Sequence, residues 1–227
     1  MIPETEIKAV VTDIDGTITD KDQLIDVDVI MALRKVQDKG IHVCIASGNV
    51  VPVAYAVSNY IGLRGPVIAE NGGVISYKKK NYQLFSSEQP KKALACLESQ
   101  MPVTRLFSDQ WRLSAVSLDN CMNIEKVKAA LKDFDIKIEE TGFAIHLLNK
   151  GQNKAVGVRK AAELLNIKMS EIAAFGDSDN DKEMLKECGY GMAVANGSDE
   201  ACNSADYVCR ERYGTGVIEG LSRLGLL

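Results

Sequence analysis

The sequence has no long apolar run: nowhere does it approach the ~18 consecutive apolar residues that a membrane-spanning helix needs. Its first residues, Met1-Ile2-Pro3-Glu4-Thr5-Glu6, carry neither the basic start nor the apolar stretch of a secretory signal. These two absences lead us to expect a cytoplasmic protein with no membrane partner. A basic surplus is missing too, with a formal net charge of -4 and a pI near 5.4. The longest basic cluster is Lys78-Lys79-Lys80, so nucleic acid is not an expected partner. Cys44, Cys96, Cys121, Cys188, Cys202 and Cys209 form no Cys-x-x-Cys pair, and several sit in apolar runs, which favours reduced, buried thiols over a zinc site or a disulfide framework. Histidine is scarce: His42 and His146 stand alone and read as structural. No internal repeat or low-complexity segment is visible.

What is present is the composition of a folded globular chain. Of 227 residues, 46% are hydrophobic and 26% charged, enough for one core domain and a smaller companion. Apolar runs alternate with segments of helical period, the pattern of a parallel sheet covered by helices. Strands are expected at 7–14, 41–46 and 67–69, and helices at 28–39 and from the Ser47-Gly48-Asn49 turn to about residue 61. The alternation returns with a helix at 153–165, a strand at 172–175, a helix at 182–187, short strands at 192–195 and 207–209, and a last helix at 216–224. Between them the texture changes to strand-like stretches at 113–118 and 144–148 and helical stretches at 91–100 and 124–133. The expected architecture is therefore α/β: a Rossmann-like, doubly wound parallel core formed by 1–76 and 151–227, with a smaller α+β cap at 77–150 inserted into it.

Two acidic clusters carry the chemistry. Asp13-Ile14-Asp15-Gly16-Thr17 ends the first apolar run, at the carboxyl-end rim where open α/β sheets bind ligands. A continuing strand would point Asp13 and Asp15 to opposite faces, so a turn at Gly16 has to bend the chain to bring both to one site. Gly176-Asp177-Ser178-Asp179-Asn180-Asp181 follows another short apolar run and falls on the same rim. Carboxylates converging from two strand ends repel one another unless a cation neutralises them, and oxygen donors without His or Cys suit a hard ion such as Mg²⁺. A calcium loop of the EF-hand kind fits poorly, because its glycine at the sixth position and glutamate at the twelfth are missing. On its own, Ser47 is a turn residue and Lys154 a lysine in the first turn of a helix, both ordinarily solvated.

Taken in order, Asp13-Ile14-Asp15-Gly16-Thr17, Ala46-Ser47-Gly48-Asn49, Lys154 and Gly176-Asp177-Ser178-Asp179-Asn180-Asp181 resemble the four motifs of the haloacid-dehalogenase-like phosphatases. The resemblance implies that Asp13 attacks phosphorus and that Asp15 acts as general acid and base. It further implies that Ser47 and Lys154 bind the phosphoryl group. Asp13, the backbone carbonyl of Asp15, and Asp177 would hold Mg²⁺, with Asp181 close by. Asn49, Asn71, Ser178, Asn180 and Asn196 are weaker candidates for holding the phosphate or the loops.

A cap inserted late in the chain, together with Asn153-Lys154-Ala155-Val156-Gly157-Val158, resembles the Cof-type and sucrose-phosphatase-like branch. Gly142-Phe143-Ala144-Ile145-His146 most resembles archaeal-type phosphoglycolate phosphatases. The expected substrate is a small phosphate ester, 2-phosphoglycolate ahead of sugar phosphates, with Arg105 or Arg112 as candidate readers of its carboxylate. A phosphomutase of the same kind keeps the same residues and stays open. Asp15 argues against a dehalogenase, the missing spans against a P-type ATPase, and the cap against a non-catalytic receiver domain. The oligomeric state is also open, a homodimer included.

Overall fold

The structure is a computed structural model that describes residues 5–227; residues 1–4, part of the stretch read above for a secretory signal, lie outside the described residues. The chain runs β1 (Ala9–Thr12), α1 (Val27–Asp38), β2 (His42–Ala46), α2 (Val51–Ile61), β3 (Val67–Ala69), β4 (Val74–Tyr77) and β5 (Lys80–Gln83). Then come α3 (Glu88–Gln100), β6 (Val116–Asp119), α4 (Ile124–Ala130), β7 (Ile136–Glu140) and β8 (Ala144–Asn149). It closes with α5 (Lys154–Leu165), β9 (Ile172–Gly176), α6 (Lys182–Glu187), β10 (Tyr190–Ala193), α7 (Asp199–Ser204), β11 (Tyr207–Val208) and α8 (Tyr213–Arg223). Among the described residues no helix is long and apolar enough to cross a membrane.

Eight strands form one sheet in the order β11-β10-β9-β1-β2-β3-β4-β5. The strands from β11 to β3 pair in parallel, and β4 and β5 add an antiparallel edge. The large sheet thus runs on through Gln83, beyond the boundary expected after residue 76. The β1 run carries Ala9, Val10 and Val11 without alternation because both faces are covered, and it closes on the buried Thr12. Val10 packs with Val29, Leu33 and Val36 of α1 and with Val217 and Leu221 of α8 on one face. Ala9 and Val11 meet Val158 and Ala161 of α5 and Met184 and Leu185 of α6 on the other. From β1 the chain winds through β2 and β3 to one side, while β9 and β10 lie on the other. The carboxyl ends of β1 and β9 therefore flank a topological switch point, the place where such sheets bind ligands.

The intervening segment builds a separate antiparallel sheet, β6-β8-β7, with α3 and α4 packed on it through Leu94, Leu97, Leu118, Val127 and Leu147. The buried Glu70 carboxylate ties this cap to the core by accepting from the Leu113 and Ser114 amides at 2.8–3.1 Å and from Ser114 Oγ at 2.8 Å. Gln152 Nε2 donates to the Glu70 carbonyl at 2.6 Å. His146 is buried in the cap sheet between Ser117 Oγ and Thr141 Oγ1, and burial pushes it well below the ordinary histidine pKa, as a structural residue. Of the cysteines, Cys44, Cys188 and Cys209 are buried, with burial pushing each thiol up to about 12, whereas Cys121 is exposed.

Helix α5 seats close to β3 because Gly157 has no side chain: a Cβ there would run into Ile68 Cγ2 and lie 2.9 Å from the Gly72 Cα. Gly157→Ala is expected to lower stability by about 1–3 kcal/mol in urea unfolding, because the helix has to back away from the sheet. An unchanged midpoint would show that the contact has slack.

Candidate active site

Asp13 follows the last residue of β1, and its amide donates to the Phe175 carbonyl of β9 at 3.0 Å, which continues the ladder one step past the strand. The chain then turns sharply, with Gly16 at φ +86° and the amides of Thr17, Ile18 and Thr19 all donating to the Ile14 carbonyl. This is the turn that the Asp13/Asp15 spacing requires. Gly16 serves twice: φ is positive, and a Cβ would collide with the Asp177 carboxylate packed against it.

From the neighbouring strand, β9, the loop brings Asp177 and Asp181 to the same point. Thr17 Oγ1 donates to Asp177 Oδ1 at 2.7 Å, and the amides of Asp177 and Ser178 donate to Asp181 Oδ2 at 3.1 Å. Lys154, the first residue of α5, is buried, and its Nζ lies 2.5 Å from Asp13 Oδ1 and 2.7 Å from Asp181 Oδ1. The helix is started by Asn153, whose side chain accepts from the Val156 amide.

Asp13, Asp177 and Asp181 present carboxylate oxygens that all lie within 4.8 Å of one another. Burial pushes Asp13 well above the usual carboxylate range, and Asp181, Asp177 and Asp15 add like-charge repulsion that Lys154 only partly offsets. Burial and Asp181 together push Asp177 up to about 7. Burial alone would lower the Lys154 ammonium, but Asp13 and Asp181 overcome it and hold its pKa above the ordinary lysine value. One ammonium thus faces an excess of carboxylate charge, and an all-oxygen donor set of this size fits a hard divalent cation.

Asp15 stands apart from that trio. Its Oδ2 accepts from Asn49 Nδ2 at 2.9 Å, and burial raises its pKa against the opposing pull of Lys154 and Asn49. Ser47, the residue after β2, is wholly buried, its Oγ accepting the Asn49 amide at 3.0 Å. The weaker candidates form a frame around these groups. Asn180 Nδ2 donates to Asn71 Oδ1 at 3.2 Å, Asn196 Nδ2 donates to the Gly16 carbonyl at 2.8 Å, and Ser178 Oγ donates to Asn180 at 2.8 Å.

A cavity of about 370 Å³ opens onto the site, lined by Asp13, Asp15, Gly48 and Asp177 from the core and by Thr141, Gly142 and Phe143 from the cap. The cap therefore reaches the chemistry through its β7–β8 hairpin. Neither Arg105 nor Arg112 lines this cavity; Arg105, half exposed, pairs with Asp109 at 2.7 Å through Nε. Arg112 is buried, and its Nη2 donates to the Gly48 carbonyl at 3.0 Å. Sequence reasoning missed Thr17 as a partner of Asp177 and Glu70 as the cap anchor. The Asp-x-Asp-Gly-Thr string held a signal for the first, and nothing local held one for the second.

A family model described as haloacid dehalogenase-like hydrolase matches residues 10–110 and 106–221. The chain is 36% identical over 217 residues to the phosphoglycolate phosphatase of Methanothermobacter thermautotrophicus, covering 96% of this chain and 98% of that protein. A crystal structure from Thermoplasma acidophilum superposes with a TM-score of 0.91 at 29% identity, covering 98% of this chain and 100% of that one. A solved sugar phosphatase of subclass IIB of the same superfamily gives a TM-score of 0.78 at 18% identity, covering 97% and 100%, and shares the fold.

Crowding among the carboxylates predicts a pH effect of definite sign. Asp177 rises from 3.8 to about 7 on folding, so its contribution to metal-free stability is complete below the unfolded value and is lost as pH rises through the folded one. With chelator present, melting temperature should fall across that window, and Mg²⁺ added at about pH 8 should restore it. Identical melting curves with Mg²⁺ and with chelator would show that the trio holds no cation.

Proposed function

The chain belongs to the haloacid dehalogenase-like hydrolases, and on that premise we propose that it is a Mg²⁺-dependent phosphatase that hydrolyses 2-phosphoglycolate to glycolate and phosphate through an aspartyl-phosphate intermediate. The observation that carries the chemistry is the position of Asp13: a buried carboxylate gripped by Lys154, beside Asp177 and Asp181, at the floor of a cavity that the cap overhangs. The whole-length likeness to a phosphoglycolate phosphatase supports the substrate.

Lys154 holds Asp13 Oδ1 and so fixes the rotation of the carboxylate that attacks phosphorus. As the new Asp13–phosphorus bond forms, the ester P–O bond breaks, and its electron pair goes to the leaving oxygen. Asp15 supplies the proton that this alkoxide takes up, a role that its raised pKa and its bond to Asn49 suit. Ionised Asp15 then takes a proton from water as the water oxygen attacks phosphorus. The Asp13–phosphorus bond breaks, inorganic phosphate leaves, and both carboxyl groups return to their starting states. Ser47 and Lys154 are assigned to the phosphoryl oxygens, where fixed donors count most. Asp13, Asp177 and Asp181, with the carbonyl of Asp15, would hold Mg²⁺, which when bound supplies positive charge against the carboxylates and the phosphoryl group. The cap, which we place between β5 and α5, would close the site from water through Thr141, Gly142 and Phe143. Sugar phosphates are the second reading, because the cavity of about 370 Å³ has room for one.

Phosphate release from phosphoglycolate, sugar phosphates, nucleotides and an aryl phosphate, with Mg²⁺ and with chelator, tests this. We expect Mg²⁺-dependent release, fastest with phosphoglycolate; a sugar phosphate winning would replace the substrate, and no release from any ester would remove the activity. Asp13→Asn should abolish turnover, since an amide oxygen forms no stable acyl phosphate, and wild-type rates in that variant would refute the nucleophile. Lys154→Ala should lower kcat by roughly 10²–10³-fold, as removal of a single transition-state donor does elsewhere.

A further inference from the structure

Arg112 is a buried guanidinium with donors to spare. Only Nη2 is used, on the Gly48 carbonyl at 3.0 Å; among the described residues Nε and Nη1 have no hydrogen-bond partner, and the Asp109 carboxylate stays 3.9 Å from Nε. Asp109 is engaged elsewhere, accepting from Arg105 Nε at 2.7 Å and from the Ser117 amide at 2.6 Å. Glu70, the other acid near Arg112, is spent on the Leu113 and Ser114 amides and the Ser114 hydroxyl. A buried donor without an acceptor costs free energy, and a charged one costs more, so a fold keeps such a group where an anion will arrive. Burial accordingly pulls the Arg112 guanidinium below its ordinary pKa despite Glu70 and Asp109.

The backbone around Arg112 is fixed. Its own amide donates to the Asp109 carbonyl at 3.0 Å, and the next two amides are clamped by Glu70. The side chain therefore projects from a firm point at the cap–core junction onto Gly48, a residue that lines the catalytic cavity between Ser47 and Asn49. Arg105, the other candidate, is neutralised at the surface and lacks this placement. We propose that Arg112 is the specificity-determining residue that binds the carboxylate of the substrate's leaving group, offering Nη1 and the second hydrogen of Nη2 in the fork geometry that a carboxylate matches. Nη2 stays on Gly48, so the same side chain registers the carboxylate against the turn that carries Ser47 and Asn49.

This inference rests on the reading of a carboxylated phosphate ester as substrate. The test compares phosphoglycolate with 2-hydroxyethyl phosphate, which replaces the carboxylate by a neutral group, in the wild type, Arg112→Gln and Arg112→Lys. Wild type should prefer phosphoglycolate in kcat/KM, and Arg112→Gln should reduce that preference by about 10- to 100-fold, mainly through KM, the loss expected for hydrogen bonds to a charged group. Arg112→Lys keeps the charge but not the fork, and should retain part of the preference, which also guards against a Gln variant that fails to fold. A preference undiminished in both variants would overturn the role of Arg112 while leaving the substrate in place. An equal fall on both esters would reduce Arg112 to a latch on Gly48. If the wild type hydrolyses both esters equally well, the carboxylated substrate and its reader fall together and the phosphatase remains.

Discussion

A lysine ammonium buried between two aspartates is the contact on which the site depends. Lys154 has no water to solvate it, so the charges of Asp13 and Asp181 must do so, and each of those carboxylates in turn needs Lys154. That mutual need fixes three segments distant in sequence: the end of β1, the loop after β9 and the first turn of α5. It also fixes how close α5 must come, which is why Gly157 meets Ile68 and Gly72 with no side chain between them. Lys154 cannot balance every carboxylate, however. Burial drives the upward shifts of Asp13 and Asp177, and the remaining negative charge adds to both, which marks a place that a cation could fill.

Topology explains why such a costly cluster forms at all. Adjacent strands β1 and β9 both end at the same rim, and the chain leaves them in opposite directions, so neither strand's own connection crosses the crevice between their carboxyl ends. Two short loops can therefore converge there without crossing. Their convergence needs absent side chains as much as present ones: Gly16 makes room for the Asp177 carboxylate, and Gly176 for Asp181. Thr17 then fixes Asp177 in rotation, and the amides of Asp177 and Ser178 fix Asp181.

Much of this was legible in the sequence, for physical reasons that differ from element to element. The core strands read clearly because β1, β2 and β9 are covered on both faces and so are almost wholly apolar, Thr12 and His42 excepted, and α1 read clearly because Val29, Leu33 and Val36 keep helical spacing. The β4–β5 hairpin did not, because β5 is an edge strand of Lys80, Asn81, Tyr82 and Gln83, mostly solvated and without an apolar alternation. Strand β7 was hidden because Lys137, Glu139 and Glu140 leave it only two apolar residues, Ile136 and Ile138. In the site, the aspartates stood out because they interrupt apolar runs, whereas Ser47 and Lys154 were visible only through motif order. Glu70 gave no sign, since its value comes from amides more than forty residues away that it meets only in the folded chain. Arg112 was visible as an arginine but indistinguishable from Arg105 until burial and partners separated them.

The turn after β2 is held from both sides, and this links the cap to the chemistry. Asn49 donates to Asp15, so the turn sets the orientation of the group assigned to protonate the leaving oxygen. Arg112, from the cap side, donates to Gly48 in the same turn, and Glu70 at the end of β3 grips the residues that follow Arg112. The cap is thus joined through Arg112 and Gly48 to Asn49 and Asp15 by direct hydrogen bonds and adjacent residues. The hairpin bearing Thr141, Gly142 and Phe143 belongs to the same cap sheet, since β7 and β8 pair along their length. Cover over the cavity and alignment of Asp15 are therefore set by one body. Asp13 has its partners Lys154 and Asp181 within the core, whereas Asp15 is joined through Asn49 and Gly48 to a residue of the cap side, so the proposed nucleophile depends on the core alone and the proposed acid on both.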